Sequence, residues 1–233
     1  MIAVILAGGK GSRLRPYTLS LPKPLMPVGD HPILEIVLGQ LKRAGISRVI
    51  IAVGHLESLI RAYFGDGRAF GVDIVYSSEK TQLGTAGPLR LIESELDETF
   101  VLMNGDVLSD IDFASLIEFH RRTGRAATVA LTKRTVDIDF GVVKVGSDNQ
   151  FKEWQEKPTF EYLVSTGIYV FEPKVLRFIP DGFYNAPDLI VALDNGNGNV
   201  GVYVHPGYWL DIGRLEDYQA ACRAAENGEL AFV

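Results

Sequence analysis

Gly8, Gly9 and Gly11, followed at short spacing by Arg13, Arg15 and Lys23, are the residues best suited to chemistry on phosphates. Glycine removes the side chains that would keep an anion off the backbone N–H groups, and the cations set fixed positive charge beside those amides. Pro16, Pro22, Pro24 and Pro27 stiffen the segment and keep it from entering a helix at once. Two common phosphate loops are excluded. A P-loop would need glycine where Val4 stands and Ser or Thr where Gly11 stands, and a dinucleotide fingerprint would need glycine in place of Leu14.

Carboxylates supply the complementary chemistry. Asn104-Gly105-Asp106 follows the apolar run Phe100 to Met103, so Asp106 falls beyond the carboxyl end of a predicted strand, where open α/β sheets collect ligands. It reads either as a metal ligand or as a cap for the next helix, a role that Asp110 or Asp112 would fill equally well. Asp211, in Gly207-Tyr-Trp-Leu-Asp-Ile-Gly-Arg, has the same two readings. Two carboxylates from distant segments suit Mg²⁺, which takes few protein ligands when it also binds phosphate oxygens. His31, His55, His120 and His205 share no ligand spacing, and none pairs with a serine or with the single cysteine, Cys222, as a nucleophile would require.

Read as one string, G-G-x-G-[ST]-R-L-x-P-x-T followed by P-K-P resembles the signature of sugar-1-phosphate nucleotidyltransferases, the nucleotide-sugar pyrophosphorylases, and the resemblance runs from Ile2 to about Ala221. It implies that an NTP and a sugar 1-phosphate give an NDP-sugar and pyrophosphate. Arg13, Lys23 and Asp106 would be catalytic, and Asp106 and Asp211 would hold Mg²⁺. Leu6, Ala7, Gly8, Gly9, Gly11, Ser12, Arg13, Glu79, Gly84, Thr85 and Asn104 would bind the nucleotide, with Gly84 and Gly87 letting a planar base approach the backbone. Gly141, Glu156, Lys157, Thr166 and Gly167 would meet the sugar phosphate, Gly141 leaving space for the ring. Phe140 stands where Tyr is commoner. Leu83-Gly-Thr-Ala-Gly-Pro-Leu is most similar to mannose-1-phosphate guanylyltransferases, and the Glu79 carboxylate can accept both donors of guanine's Watson–Crick edge. The expected substrates are therefore GTP and a mannose or manno-heptose 1-phosphate. A dTTP- or UTP-dependent glucose-1-phosphate enzyme is the alternative, since some uridylyltransferases also carry an acidic residue here.

Other classes fit less well. A non-catalytic sugar-nucleotide-binding regulatory protein could dispense with Arg13, Lys23 or a metal Asp, yet all are present. A nicotinamide-dependent oxidoreductase is disfavoured by Leu14 and by the extended Pro-Lys-Pro loop.

The elements that must position these residues alternate. Strands are predicted at Ile2 to Ala7, Val49 to Val53, Ile74 to Tyr76, Phe100 to Met103 and Ala127 to Leu131. Helices are predicted between them at Ile33 to Ala44, Leu56 to Phe64, Ala86 to Leu96 and Phe113 to Arg122. That pattern predicts an α/β, Rossmann-like, mostly parallel sheet with helices on both faces. Closer strands at Gly141 to Val145, Phe151 to Gln155 and Ser165 to Phe171 predict an antiparallel extension forming one wall of a cleft, to which the resemblance assigns sugar binding. Helices follow at Pro173 to Phe178, Pro187 to Leu193 and Leu215 to Ala225.

With 233 residues, 47% of them hydrophobic, the chain can bury its core as a single domain, residues 1–133 serving the nucleotide and 134–233 the sugar and second metal ligand. A net charge of −6 argues against nucleic-acid and anionic-membrane partners. No leader pattern or long apolar run is evident, so a soluble cytoplasmic protein is expected. Homo-oligomers are common in the resembling family. The chain ends soon after its last predicted helix, so the β-helix or acyltransferase domain of longer relatives is expected to be absent.

Overall fold

In the computed structural model, which describes residues 1–195 and 197–230, the strands are β1 Ile2–Ala7, β2 Pro27–Val28, β3 His31–Pro32, β4 Arg48–Val53, β5 Asp73–Ser78, β6 Phe100–Asn104, β7 Val107–Ser109, β8 Ala127–Asp137, β9 Val142–Val145, β10 Phe151–Gln155, β11 Thr159–Phe171, β12 Val200–His205 and β13 Trp209–Asp211. The helices are α1 Ile33–Arg43, α2 Glu57–Phe64, α3 Pro88–Leu91, α4 Phe113–Thr123, α5 Ala186–Asp194 and α6 Leu215–Glu226.

The main sheet has seven strands in the order β12-β8-β11-β6-β1-β4-β5. β5, β4, β1 and β6 are parallel neighbours, β11 runs antiparallel to both β6 and β8, and β12 is parallel to β8. Only β11 therefore runs against the rest, and the mostly parallel α/β fold is observed. Successive side chains of a strand alternate between faces, which accounts for the near-continuous apolar runs. On β1, Ala3, Ile5 and Ala7 join the core beneath α1, α2 and α4, whereas Ile2 and Val4 join the one beneath α5. On β6, Val101 and Met103 take the first side and Phe100 and Leu102 the second. A third, smaller core of Leu14, Met26, Ile33, Leu108, Ile212 and Ala221 lies under the proline-rich loop and α6.

Two predicted helices come out differently. The stretch Ala86 to Leu96 gives only the four-residue α3 and a 3-10 turn, Glu93–Glu95. Ile92, at φ −124°, leaves the helical region between them, and the residues before Pro88 are tied to another loop, as described below. Pro173–Phe178 is 3-10 throughout. Strands β8 and β11 are also longer than the apolar pattern suggested. Their outer halves pair beyond Leu131 and Ser165, and because β8 points the same way as β6 they rise from the carboxyl edge of the sheet. The hairpin β9–β10 completes this antiparallel extension.

Candidate active site

A cleft of about 610 Å³ opens at the carboxyl ends of β1 and β6, where a parallel sheet leaves its ligand crevice. Every residue expected to bind the nucleotide lines it: Leu6, Ala7, Gly8, Gly9, Gly11, Ser12, Arg13, Glu79, Gly84, Thr85 and Asn104, together with Lys23 and Asp106. Its wall also holds Lys10, Pro24, Gln82, Gly105, Phe183 and Asn185, which the sequence reading did not single out. Lys10 and Gly105 could have been taken from their contiguity with the motifs. Phe183 and Asn185 follow an ordinary Pro-Asp-Gly turn and carried no signal.

The phosphate loop is shaped by its own residues. Gly11 sits at φ 58°, and a Cβ there would lie 2.9 Å from Thr18 Cγ2, so the backbone needs glycine twice over. The Thr18 hydroxyl donates to Gly11 O at 2.7 Å, which closes the loop into short 3-10 turns. Leu14 is buried as its anchor while Arg13 beside it stays exposed. The Arg13 guanidinium passes alongside Gly213 and makes no hydrogen bond or ion pair among the described residues.

Asp106 and Asp211 are brought together by a two-strand ladder. Gly105 packs against the end of β1, its N–H donating to Leu6 O at 2.9 Å, and a Cβ there would meet that same oxygen at 2.9 Å. This fixes the turn that carries Asp106. β13 then pairs antiparallel with β7, setting Asp211 opposite Val107, and Ile212 N donates to Asp106 O at 3.0 Å. Ile212 is wholly buried in the third core, so alternation turns Asp211 the other way. Lys23, 8% exposed, donates from Nζ to Asp106 Oδ2. Burial, then the charge of Asp106, raises the pKa of Asp211 above its ordinary value, while Lys23 and Arg13 lower it.

The cap readings are settled by geometry. Asp112 caps α4, accepting from Ala114 N at 2.9 Å. At the start of α6, Arg214 N donates to Asp217 at 2.9 Å, so Asp211 is not the cap. Asp106 Oδ1 is buried with no hydrogen-bond partner among the described residues. A buried orphan oxygen costs free energy unless something electropositive meets it. Beside the second carboxylate, Asp211, it makes a donor set of oxygens suited to Mg²⁺.

Glu79, half-buried, accepts from Leu83 N at 3.2 Å through Oε2, and its Oε1 lies so near Gly8 that a Cβ there would come within 2.9 Å. Burial raises its pKa above 4.5, opposed by the Leu83 hydrogen bond. On the side where a Cβ would stand, Gly84 and Gly87 face protein backbone. A Cβ at Gly84 would lie 2.5 Å from Tyr184 O, and one at Gly87 2.5 Å from Gly182 O. The close approach they permit is that of another loop.

The expected sugar residues lie outside the cavity wall. Gly141 leaves room for a protein ring, since a Cβ there would meet Trp154 Cζ2 at 2.4 Å. Trp154 Nε1 donates to Glu156 Oε2 at 2.9 Å, and Lys157 is exposed at φ 43°. Thr166 is buried, its hydroxyl donating to Ala130 O at 2.8 Å inside the irregularity of β11. Gly167 does touch the cleft indirectly: at φ 76°, a Cβ would lie 2.6 Å from Asn104 Nδ2.

A glycine and cation loop, two neighbouring carboxylates and a crevice at the carboxyl edge are thus gathered on one α/β sheet. The sequence model of the family described as Nucleotidyl transferase matches residues 2–228, and the chain belongs to that family. It is 37% identical to a UTP–glucose-1-phosphate uridylyltransferase of Synechocystis sp., over 100% of this chain and 65% of that protein. It is likewise 37% identical to a mannose-1-phosphate guanylyltransferase of Mycobacterium tuberculosis, over 93% of this chain and 62% of that protein. The chain thus spans a little under two thirds of the length of these curated relatives. A Bacillus anthracis protein crystallised with a sucrose superposes with a TM-score of 0.81 at 28% identity, covering 97% of this chain and 96% of that one. Among the described residues, no helix is long and apolar enough to cross a membrane.

Proposed function

We propose that the protein transfers a nucleotidyl group from an NTP to a sugar 1-phosphate, releasing pyrophosphate. The observation that carries this reading is the buried Asp106 Oδ1, without a partner among the described residues, in a cleft that the loop Gly8 to Arg13 also lines. Backbone N–H groups and Arg13 meet the triphosphate there. A phosphate oxygen of the sugar phosphate attacks the α-phosphorus in line, so the work of the protein is positioning and charge neutralisation. Arg13, unpaired and exposed, is free to take up charge on the departing pyrophosphate. Lys23 approaches from the Asp106 side with N–H donors left over for phosphate oxygens. Asp106 and Asp211 would hold Mg²⁺, which when bound supplies positive charge to the phosphate oxygens.

GTP is the preferred nucleotide in this reading, because Glu79 keeps an oxygen turned to the cleft where guanine's N–H groups can donate. The mannose-1-phosphate guanylyltransferase relative supports a mannose-configured acceptor. The uridylyltransferase relative, equally identical, favours UTP and glucose 1-phosphate as the second reading. Pyrophosphate release from a panel of NTPs and sugar 1-phosphates with Mg²⁺ decides between them. Release with no pair in the panel would overturn the assignment.

A further inference from the structure

The loop 182–186 is built onto the segment 83–87 at four points. Tyr184 N donates to Leu83 O at 2.9 Å, Ala86 N and Gly87 N both donate to Tyr184 O, at 2.9 and 3.0 Å, and Ala186 N donates to Thr85 Oγ1 at 2.8 Å. Gly84 and Gly87 exist to admit this backbone. Leu83 N in turn donates to Glu79, so the loop is chained by hydrogen bonds to a residue of the cleft wall. Phe183 rides on this fixed frame, lines the cleft, and is nonetheless 62% exposed. Its ring has no aromatic or cationic partner among the described residues. A large apolar ring held in place on the wall of a cleft, and left unburied there, offers its face to a flat partner.

Building on the proposed nucleotidyl transfer, we infer that Phe183 is a stacking platform for the nucleobase, carried on a loop that the glycines of 83–87 lock in place. Every base has a π-face, so the platform contributes affinity without base choice. Base choice belongs to Glu79 in the same pocket.

Equilibrium binding of GTP, UTP and inorganic tripolyphosphate to the whole protein separates these roles. Phe183→Ala is expected to weaken GTP and UTP alike, by roughly ten- to a hundredfold, the usual effect of removing an aromatic stack. Tripolyphosphate, which has no base, is expected to bind as to wild type, and Phe183→Trp is expected to retain NTP affinity. The melting temperature of the alanine variant is expected to match wild type, because the ring is exposed. Unchanged NTP binding in Phe183→Ala, an equal loss of tripolyphosphate, or a loss confined to the sugar 1-phosphate would each overturn the inference while leaving nucleotidyl transfer standing. A wild-type protein that binds no NTP more tightly than tripolyphosphate would overturn the nucleotide reading itself, and the inference with it.

Discussion

Glu79→Gln isolates the reading of the base. The variant keeps the shape of the side chain, and its amide oxygen can still accept from Leu83 N, the contact made at 3.2 Å by Oε2, so the segment 79–83 has no reason to move. What changes is the atom beside Gly8: an acceptor oxygen becomes an NH₂ group facing guanine's own donors. One of the two carboxylate oxygens is already engaged with the backbone, so the loss amounts to about one polar contact in a partly buried site. That is worth about 1–2 kcal/mol, or roughly five- to thirtyfold in kcat/KM for GTP. UTP should change by less than about threefold. Steady-state pyrophosphate release at fixed Mg²⁺ and sugar 1-phosphate, with both nucleotides competing, gives the ratio directly. The carboxylate also predicts a pH signature. Burial holds Glu79 above the ordinary 4.5, so on acidification the GTP kcat/KM should decline before an unshifted carboxylate would titrate, and the glutamine variant should lack that decline. A GTP-to-UTP ratio identical in both proteins, or a wild type that prefers UTP, would refute the reasoning about Glu79.

Other perturbations test the rest of the site. Asp106→Asn and Asp211→Asn should each lower turnover by on the order of 10²-fold or more, with the fold intact by circular dichroism; wild-type rates at limiting Mg²⁺ would remove the metal assignment. Arg13→Ala and Lys23→Ala should abolish most of the rate, and Lys23→Arg should not restore it, because Lys23 is 8% exposed against Asp106 and a forked guanidinium needs more room than an ammonium; near-normal turnover in both alanine variants would make the loop structural. His120 offers a stability test. Its ring, 1% exposed, lies 2.8 Å from Thr128 Oγ1 and 3.0 Å from Glu172 Oε1. Burial lowers its pKa below 6.5 although Glu172 pulls upward, so the folded state favours the neutral ring and stability is lost as pH falls below about 6.5. Urea midpoints at pH 7.5 and 5.5 should differ less in His120→Gln than in wild type.

The phosphate loop was legible in the sequence because everything it needs is contiguous. Gly11, Thr18 and Lys23 close on one another through a few backbone dihedrals, and a short apolar, β-branched run such as Ile2–Ala7, ended by glycines, reads as a strand covered on both faces. The turn Asn104-Gly105-Asp106 was readable for the same reason, since it follows directly on a buried strand. What the spacing could not decide was whom these segments meet. Asp211 reaches Asp106 through pairing with β7, a three-residue ladder whose register depends on Ile212 finding the third core. Gly84 and Gly87 looked like openings for a ligand, and only the tertiary structure shows Tyr184 O beside Gly84 and Gly182 O beside Gly87, in a loop whose Ala186 bonds to Thr85 across 101 positions. Thr166 looked like a sugar contact and is buried in a strand irregularity, while Gly141 accommodates Trp154. Local conformation is written in neighbouring residues because it costs only their own dihedral freedom. Contacts between distant segments depend on how whole elements pack, so that information resides in the assembled core.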